Sequence, residues 1–213
     1  MDEYQEHRQR LIEGLREHGI QDPRVLEALG RVPREAFVNR ELRHLAYEDR
    51  ALPIDSGQTI SQPYIVALMS EALELSGAET VLEIGTGCGY QAAILAQLAR
   101  RVFTIERHRD LASAAMLRLT RLGIDNVQVI TGDGTLGWPD EAPYDRVIVT
   151  AAGDHVPPAL FEQLVEGGIL VLPVGGLDEQ VLRVVRKVDG REEIRDLCGV
   201  RFVRLIGVEG WPK

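Results

Sequence analysis

Cysteine is scarce in this chain. Cys88 and Cys198 are the only two in 213 residues, and they stand far apart. Their spacing matches no metal site and no disulfide framework, so a reducing, cytoplasmic setting and no bound metal are expected. The first ten residues, MDEYQEHRQR, contain no apolar run of the kind a secretory signal requires. No stretch approaches the length of apolar sequence that spans a bilayer, so no membrane partner is expected. Repeats and low-complexity tracts are absent, which argues against a solenoid or a disordered tail. Basic charge is also short. The net charge of -9 disfavours broad phosphate binding and therefore nucleic acid.

What is present suits one sizeable soluble domain, with 45% hydrophobic and 27% charged residues. Met1 to Gly19 reads as a helix, and Asp22-Pro23 as the N-cap and first residue of a second. Residues 1–58 are taken as an N-terminal helical cap, and 59–213 as the main domain, together one compact unit. A helix from Gln62 to about Leu75 opens that domain. Strand and helix then alternate. TVLEIG, RVFTIE, NVQVIT, DRVIVTAA and ILVLPVG are the strands, and QAAILAQLAR, LASAAMLRLTRLG and PPALFEQLVEGG are the helices. Such alternation predicts a mostly parallel, doubly wound α/β sheet. QVLRVVRK, a turn at Asp189-Gly190 and VRFVRLIG predict antiparallel strands at the C-terminal end.

Three acids sit at successive strand ends. Glu83 lies two residues before the loop Gly85-Thr86-Gly87-Cys88-Gly89, Glu106 closes the next strand, and Asp133-Gly134 follows the third. The glycines allow a sharp turn and a close ligand approach. The spacing is G-x-G-x-G, not the G-x-G-x-x-G of dinucleotide sites, and Tyr90 occupies the place of the third glycine. A carboxylate at Glu83 suits a ligand with a positive end, whereas a pyrophosphate disfavours it. Glu106 is placed to accept from ribose hydroxyls. Asp133 is placed to bind an adenine amino group, with Gly134 leaving room for the ring.

The combination resembles the Rossmann-like class of S-adenosylmethionine-dependent methyltransferases. The place where base-modifying members carry an NPPY-like segment holds VTAAGDHVPP, without Asn or Asp before the prolines. Longer segments, among them AYEDRALPIDSGQTISQPYIVALM, VLEIGTGCGYQAAILA and GDGTLGWPDEAPYDRVIVTAA, resemble the protein-L-isoaspartate O-methyltransferases, in that family's order. The resemblance implies repair of damaged proteins and peptides. The α-carboxylate of an L-isoaspartyl residue is methylated by S-adenosyl-L-methionine, leaving S-adenosyl-L-homocysteine, and the ester closes through a succinimide. It implies a monomer. A methyltransferase for another small-molecule or protein carboxylate is the competing reading, followed by a nicotinamide oxidoreductase and a non-catalytic nucleoside-binding module.

Ser61, at the entrance of the third helix, has two readings. Position alone favours a helix N-cap, with Thr59 and Gln62 as a capping box. The resemblance makes it the active-site serine, a hydroxyl that orients the carboxylate. By the same match Gln58, Thr59, Tyr64, Gly85, Thr86, Gly87 and Arg107 join Glu83, Glu106, Asp133 and Gly134 around the cofactor. Ile60, Ser61, Val203 and Leu205 shape the peptide site. Asn39, Asp55-Ser56, Cys88 and Arg204 depart from the family pattern. Asp55, Ser56 and Arg204 are expected near the peptide.

Overall fold

The computed structural model describes residues 4–176 and 178–212. The first helix, α1, runs Gln5–Glu17; positions 1–3 of the expected helix lie outside the described residues. α2 spans Pro23–Arg31, and the Asp22 carboxylate caps it by accepting from the Arg24 amide. Between Val32 and Ser56 the chain makes short 3-10 turns, at Arg34–Phe37, Arg40–Leu45 and Asp55–Gly57. A two-strand ribbon, β1 (Leu52–Pro53) with β2 (Thr59–Ile60), then leads into α3, Pro63–Ala72.

The alternating units follow as expected. They are β3 (Thr80–Ile84), α4 (Tyr90–Leu98), β4 (Arg101–Glu106), α5 (Arg109–Arg121), β5 (Val127–Thr131) and β6 (Tyr144–Val149). α6 (Pro158–Glu162), β7 (Leu164–Gly175), β8 (Gln180–Val188) and β9 (Arg191–Val200) complete the chain. Their order in one seven-stranded sheet is β5-β4-β3-β6-β7-β8-β9. β3 to β7 are mutually parallel, and β8 runs against both of its neighbours. The hairpin between β8 and β9 turns at Asp189 (φ 50) and Gly190 (φ 70), the positive-φ pair that a type I′ turn demands.

Two expectations at the C-terminal half need correction. PPALFEQLVEGG is helical only to Glu162. Leu164 already pairs with Tyr144, and the next pair in register is Arg146 with Ile169. Gly167 and Gly168 thus fall in a bulge inside β7; they do not stop a helix. The early end of α6 is held by Lys187 on β8, whose ammonium donates to the carbonyls of Phe161, Glu162 and Leu164. VRFVRLIG is not a sheet strand either. The last strand is REEIRDLCGV, and the segment after it crosses the carboxyl ends of the sheet, with a backbone bridge between Arg204 and Ala152.

Alternation within the buried strands divides the core. Val81, Val102, Ile148, Val171 and Val184 face α1 to α4 and the 3-10 turns. Leu82, Ile84, Phe103, Ile105, Val147 and Leu172 face α6 and the C-terminal segment. Each such side chain withdrawn from water contributes about 1.5–3 kcal/mol. Leu11, Leu15, Leu26 and Ile54 share their cluster with Val66 and Ile94. The N-terminal cap is therefore packed into the same core as the sheet.

Glu83 is the exception within this core. It is fully buried in β3, opposite Thr104 and Ile148, and both carboxylate oxygens lack a hydrogen-bond partner among the described residues. Burial pushes its pKa from an ordinary 4.5 up to about 8. The Glu106 charge pushes the same way, while the Thr104 hydroxyl opposes. That hydroxyl is itself bonded to Thr86 Oγ1 at 2.6 Å.

Between those two pKa values the folded chain holds a proton that the unfolded chain has lost, so stability falls as pH rises through that window. Glu83→Gln, a neutral isostere of the acid form, should flatten this fall. Denaturant unfolding at about pH 5 and about pH 8 should show the variant gaining relative stability at the higher pH. Parallel pH profiles for the two proteins would contradict a proton on Glu83.

Candidate active site

The sheet order reverses between β3 and β6, and a crevice opens at their carboxyl ends. Gly85 follows β3 and Thr150 follows β6. The Thr150 hydroxyl donates towards the carbonyls of Gly85 (2.7 Å) and Ile84 (3.1 Å). A Cβ at Gly85 would lie 2.4 Å from that hydroxyl, at a φ of +96. Only glycine fits there.

The loop then delivers the Gly87 amide to Glu106. Gly87 N–H donates to Glu106 Oε2 and His108 N–H to Oε1, both at 2.9 Å. The carboxylate is held rigidly at the end of β4 and is 5% exposed. It lines a cavity of about 370 Å³, with apolar walls from Ile84, Ile105, Leu205 and Ile206. Gln58, Thr59, Arg107 and His108 supply its polar rim. The volume falls within the roughly 300–1,000 Å³ of small-molecule sites. A flat apolar ring matches the isoleucine walls, and a diol matches a carboxylate with free lone pairs.

A larger open groove, about 1020 Å³, adjoins this cavity and shares Thr59, Thr150 and Val203 with it. Ser61, Gln62 and Ile65 line one side of the groove, and Gln180, Val200, Arg201 and Phe202 line the other. Ser61 also borders a void of about 40 Å³ against Gly85, Thr86, Gly87 and Thr150. It therefore stands at the seam between groove and glycine loop.

Helix capping is done by another residue. Asp49 Oδ1 accepts from the Tyr64 amide at 2.8 Å, and its Oδ2 accepts from the Gln62 side chain at 2.9 Å. The expected capping box between Thr59 and Gln62 does not form. Among the described residues the Ser61 hydroxyl makes no hydrogen bond, so its donor and acceptor capacity is free for a ligand.

The expected cofactor residues Gln58, Thr59, Gly85, Gly87, Glu106, Arg107 and Gly134 converge on the smaller cavity. Thr86 lies buried beneath the loop. Others are placed elsewhere. Glu83 is inside the sheet and lines neither cavity. Tyr64 lines neither; its ring packs edge-on against His18, with centroids 6.3 Å apart. Asp133 does not line the cavity. Its Oδ1 accepts from the Thr135 amide and hydroxyl, and its Oδ2 from the Val208 amide at 2.8 Å. It ties the C-terminal segment to the sheet. Gly134 is needed for packing, since a Cβ there would meet Ile84 Cγ2 at 2.4 Å.

The expected peptide-site residues divide as well. Val203 lines both cavities, Leu205 only the smaller one, and Ile60 is core, 3% exposed. Arg204 stacks over Trp211 and lines the smaller cavity, while Asp55 and Ser56 are exposed and line neither. Thr150 was not anticipated. Its signal is plain in retrospect, because it follows the fourth strand at the same carboxyl edge as Glu106. Among the described residues no group of three or more His, Cys, Asp or Glu is placed to hold a metal ion. No described helix is long and apolar enough to cross a membrane.

Known proteins resemble this arrangement throughout. The family profile of the protein-L-isoaspartate(D-aspartate) O-methyltransferases matches residues 6–210. Protein-L-isoaspartate O-methyltransferase 2 of Pelobacter propionicus is 54% identical over 211 residues, 97% of this chain and 94% of its own. The Parvibaculum lavamentivorans enzyme is 55% identical over 219 residues, 100% of this chain and 96% of its own. A solved protein-L-isoaspartate O-methyltransferase superposes with a TM-score of 0.87 at 32% identity, covering 95% of this chain and 67% of that one. A putative one from Plasmodium falciparum, in complex with S-adenosyl-L-homocysteine, gives 0.82 at 26%, covering 93% and 98%. With matches spanning cap, glycine loop and C-terminal segment alike, the chain belongs to the protein-L-isoaspartate O-methyltransferase family.

Proposed function

We propose that the smaller cavity holds S-adenosylmethionine, that the groove holds an isoaspartyl segment of a damaged protein, and that Ser61 presents the α-carboxylate at their seam. The reaction is the family's, methyl transfer to an L-isoaspartyl carboxylate. One observation carries the residue assignment. Ser61 borders both the groove and the glycine loop, and its hydroxyl is unspent because Asp49 does the capping.

Bound S-adenosylmethionine supplies a methyl group on a positively charged sulfur. Every other requirement falls on the protein. The α-carboxylate is already ionised at neutral pH, so no residue need remove a proton. Ser61 donates a hydrogen bond to one carboxylate oxygen and leaves the other free to attack. Orientation of this kind lowers a barrier by up to about 7–11 kcal/mol. Glu106 receives the ribose hydroxyls, Ile84 and Ile105 flank the adenine, and Asp133 holds the C-terminal segment that closes the cavity. Val203, common to both spaces, sets the distance between them. The methyl ester then closes to a succinimide without help. The reading extends to a cytoplasmic monomer that binds neither nucleic acid nor membrane. Its net charge of -9 supports the nucleic-acid part.

Ser61→Ala should lower kcat on an isoaspartyl peptide by about 10²–10³, the usual loss for one positioned donor. Calorimetric affinity for S-adenosylhomocysteine should stay within about twofold, since this residue meets the carboxylate and not the ribose. Unchanged turnover would remove Ser61 from the mechanism. Glu106→Ala should instead weaken that affinity by about 10–100-fold, the equivalent of a charged hydrogen-bonding group. Equal affinity would refute the ribose assignment. Asp133→Asn keeps the shape but loses an acceptor for the Thr135 and Val208 donors. It should weaken affinity only about three- to tenfold, with faster amide exchange at Val208. Protection unchanged at Val208 would show that the tie is dispensable.

A further inference from the structure

The side chain of Arg34 is fully buried, 0% exposed, at the start of the first 3-10 turn. Its Nε donates to the Ala46 carbonyl and its Nη2 to the Ser61 carbonyl, both at 2.8 Å. A weaker contact reaches the Arg50 carbonyl at 3.5 Å. The guanidinium carbon lies 4.8 Å from the centre of the Tyr90 ring, which opens the helix after the glycine loop. Among the described residues no carboxylate comes within ion-pair distance. Nη1 is buried with no hydrogen-bond partner.

A buried cation without a counter-ion is costly, and a fork with one empty prong more so. An apolar side chain of like volume would serve a plain core better. Burial does pull its pKa below the ordinary arginine value, yet a guanidinium stays charged at neutral pH. What this side chain does that an apolar one cannot is join three backbone segments, one of which carries Ser61.

We infer that Arg34 is a positioning residue for the transfer, fixing the Ser61 carbonyl from behind so that the serine hydroxyl keeps its aim at the seam. Asp49 secures the residues that follow, through Tyr64 and Gln62. Ser61 is thus clamped between two residues of the N-terminal cap. The planar fork matters as much as the charge. A lysine keeps the charge but offers its donors from one atom, in place of the two separate nitrogens that meet Ala46 and Ser61.

The inference rests on the reading of Ser61 given above, so the test is a cycle of Arg34 and Ser61 variants. Arg34→Lys should lower kcat on an isoaspartyl peptide by about 10–100-fold while the calorimetric Kd for S-adenosylhomocysteine moves less than about twofold. In the Ser61→Ala background the same change should lower kcat by less than about twofold, because its effect passes through the missing hydroxyl. Arg34→Met removes both charge and fork at similar volume and should show the same coupling; it carries the cycle if the lysine variant does not bind S-adenosylhomocysteine. Losses that multiply across the two backgrounds would overturn the inference. So would wild-type turnover in Arg34→Lys, or loss of S-adenosylhomocysteine binding in both Arg34 variants, which would make Arg34 a fold residue. Full turnover in Ser61→Ala alone would overturn the Ser61 reading, a result distinct from multiplying losses.

Discussion

The contact between Gly85 and Thr150 is the constraint on which the site depends. β3 and β6 lie side by side, but the chain leaves them in opposite directions, so their carboxyl ends part and leave a crevice. Thr150 closes the floor of that crevice by donating to the Gly85 and Ile84 carbonyls. With Gly85 pinned, the Gly87 amide reaches Glu106, and a surface glutamate becomes a fixed, nearly buried acceptor. Both cavities then have Thr150 in common.

Charge in this protein is sorted by what each carboxylate touches. Glu106 accepts two backbone amides and stays in contact with the cavity. Asp133 accepts from Thr135 and Val208, which lowers its pKa although its partial burial works against this. Glu83 finds no hydrogen-bond partner among the described residues, and burial raises its pKa to about 8. Three acids at three strand ends thus occupy three different electrostatic situations. The reason is how far each strand end projects beyond the core, and which amides happen to face it.

The alternating elements were legible because their signals are local. Apolar runs flanked by glycine and proline mark β3 to β6, and the Asp189-Gly190 turn marks its hairpin. The errors share one cause. α6 ends early because Lys187, distant in sequence, takes its last carbonyls, and Gly167-Gly168 then serve a bulge. VRFVRLIG has the composition of a strand, yet the sheet is already complete at β9, so it becomes a strap over the cavity. Tyr64 and Ile60 stand beside Ser61 in the chain but point into the N-terminal packing. Neighbours along a chain diverge wherever a strand alternates or a helix turns.

For Ser61 the division of labour is clearest. The sequence by itself determined the parallel sheet, the glycine loop, the acid at the end of β4 and the family, since each rests on a local pattern or on ordered segments. It left the serine with two roles, cap or carboxylate donor, because either needs only a hydroxyl before a helix. The tertiary structure decided that the cap is Asp49, fifteen positions before the amide it serves. It also showed that Arg34 grips the Ser61 carbonyl from 27 residues away. Those contacts depend on folding the N-terminal cap into the core of the sheet. No spacing along the chain encodes them, because a hydrogen bond between distant segments exists only once the packing has brought them together.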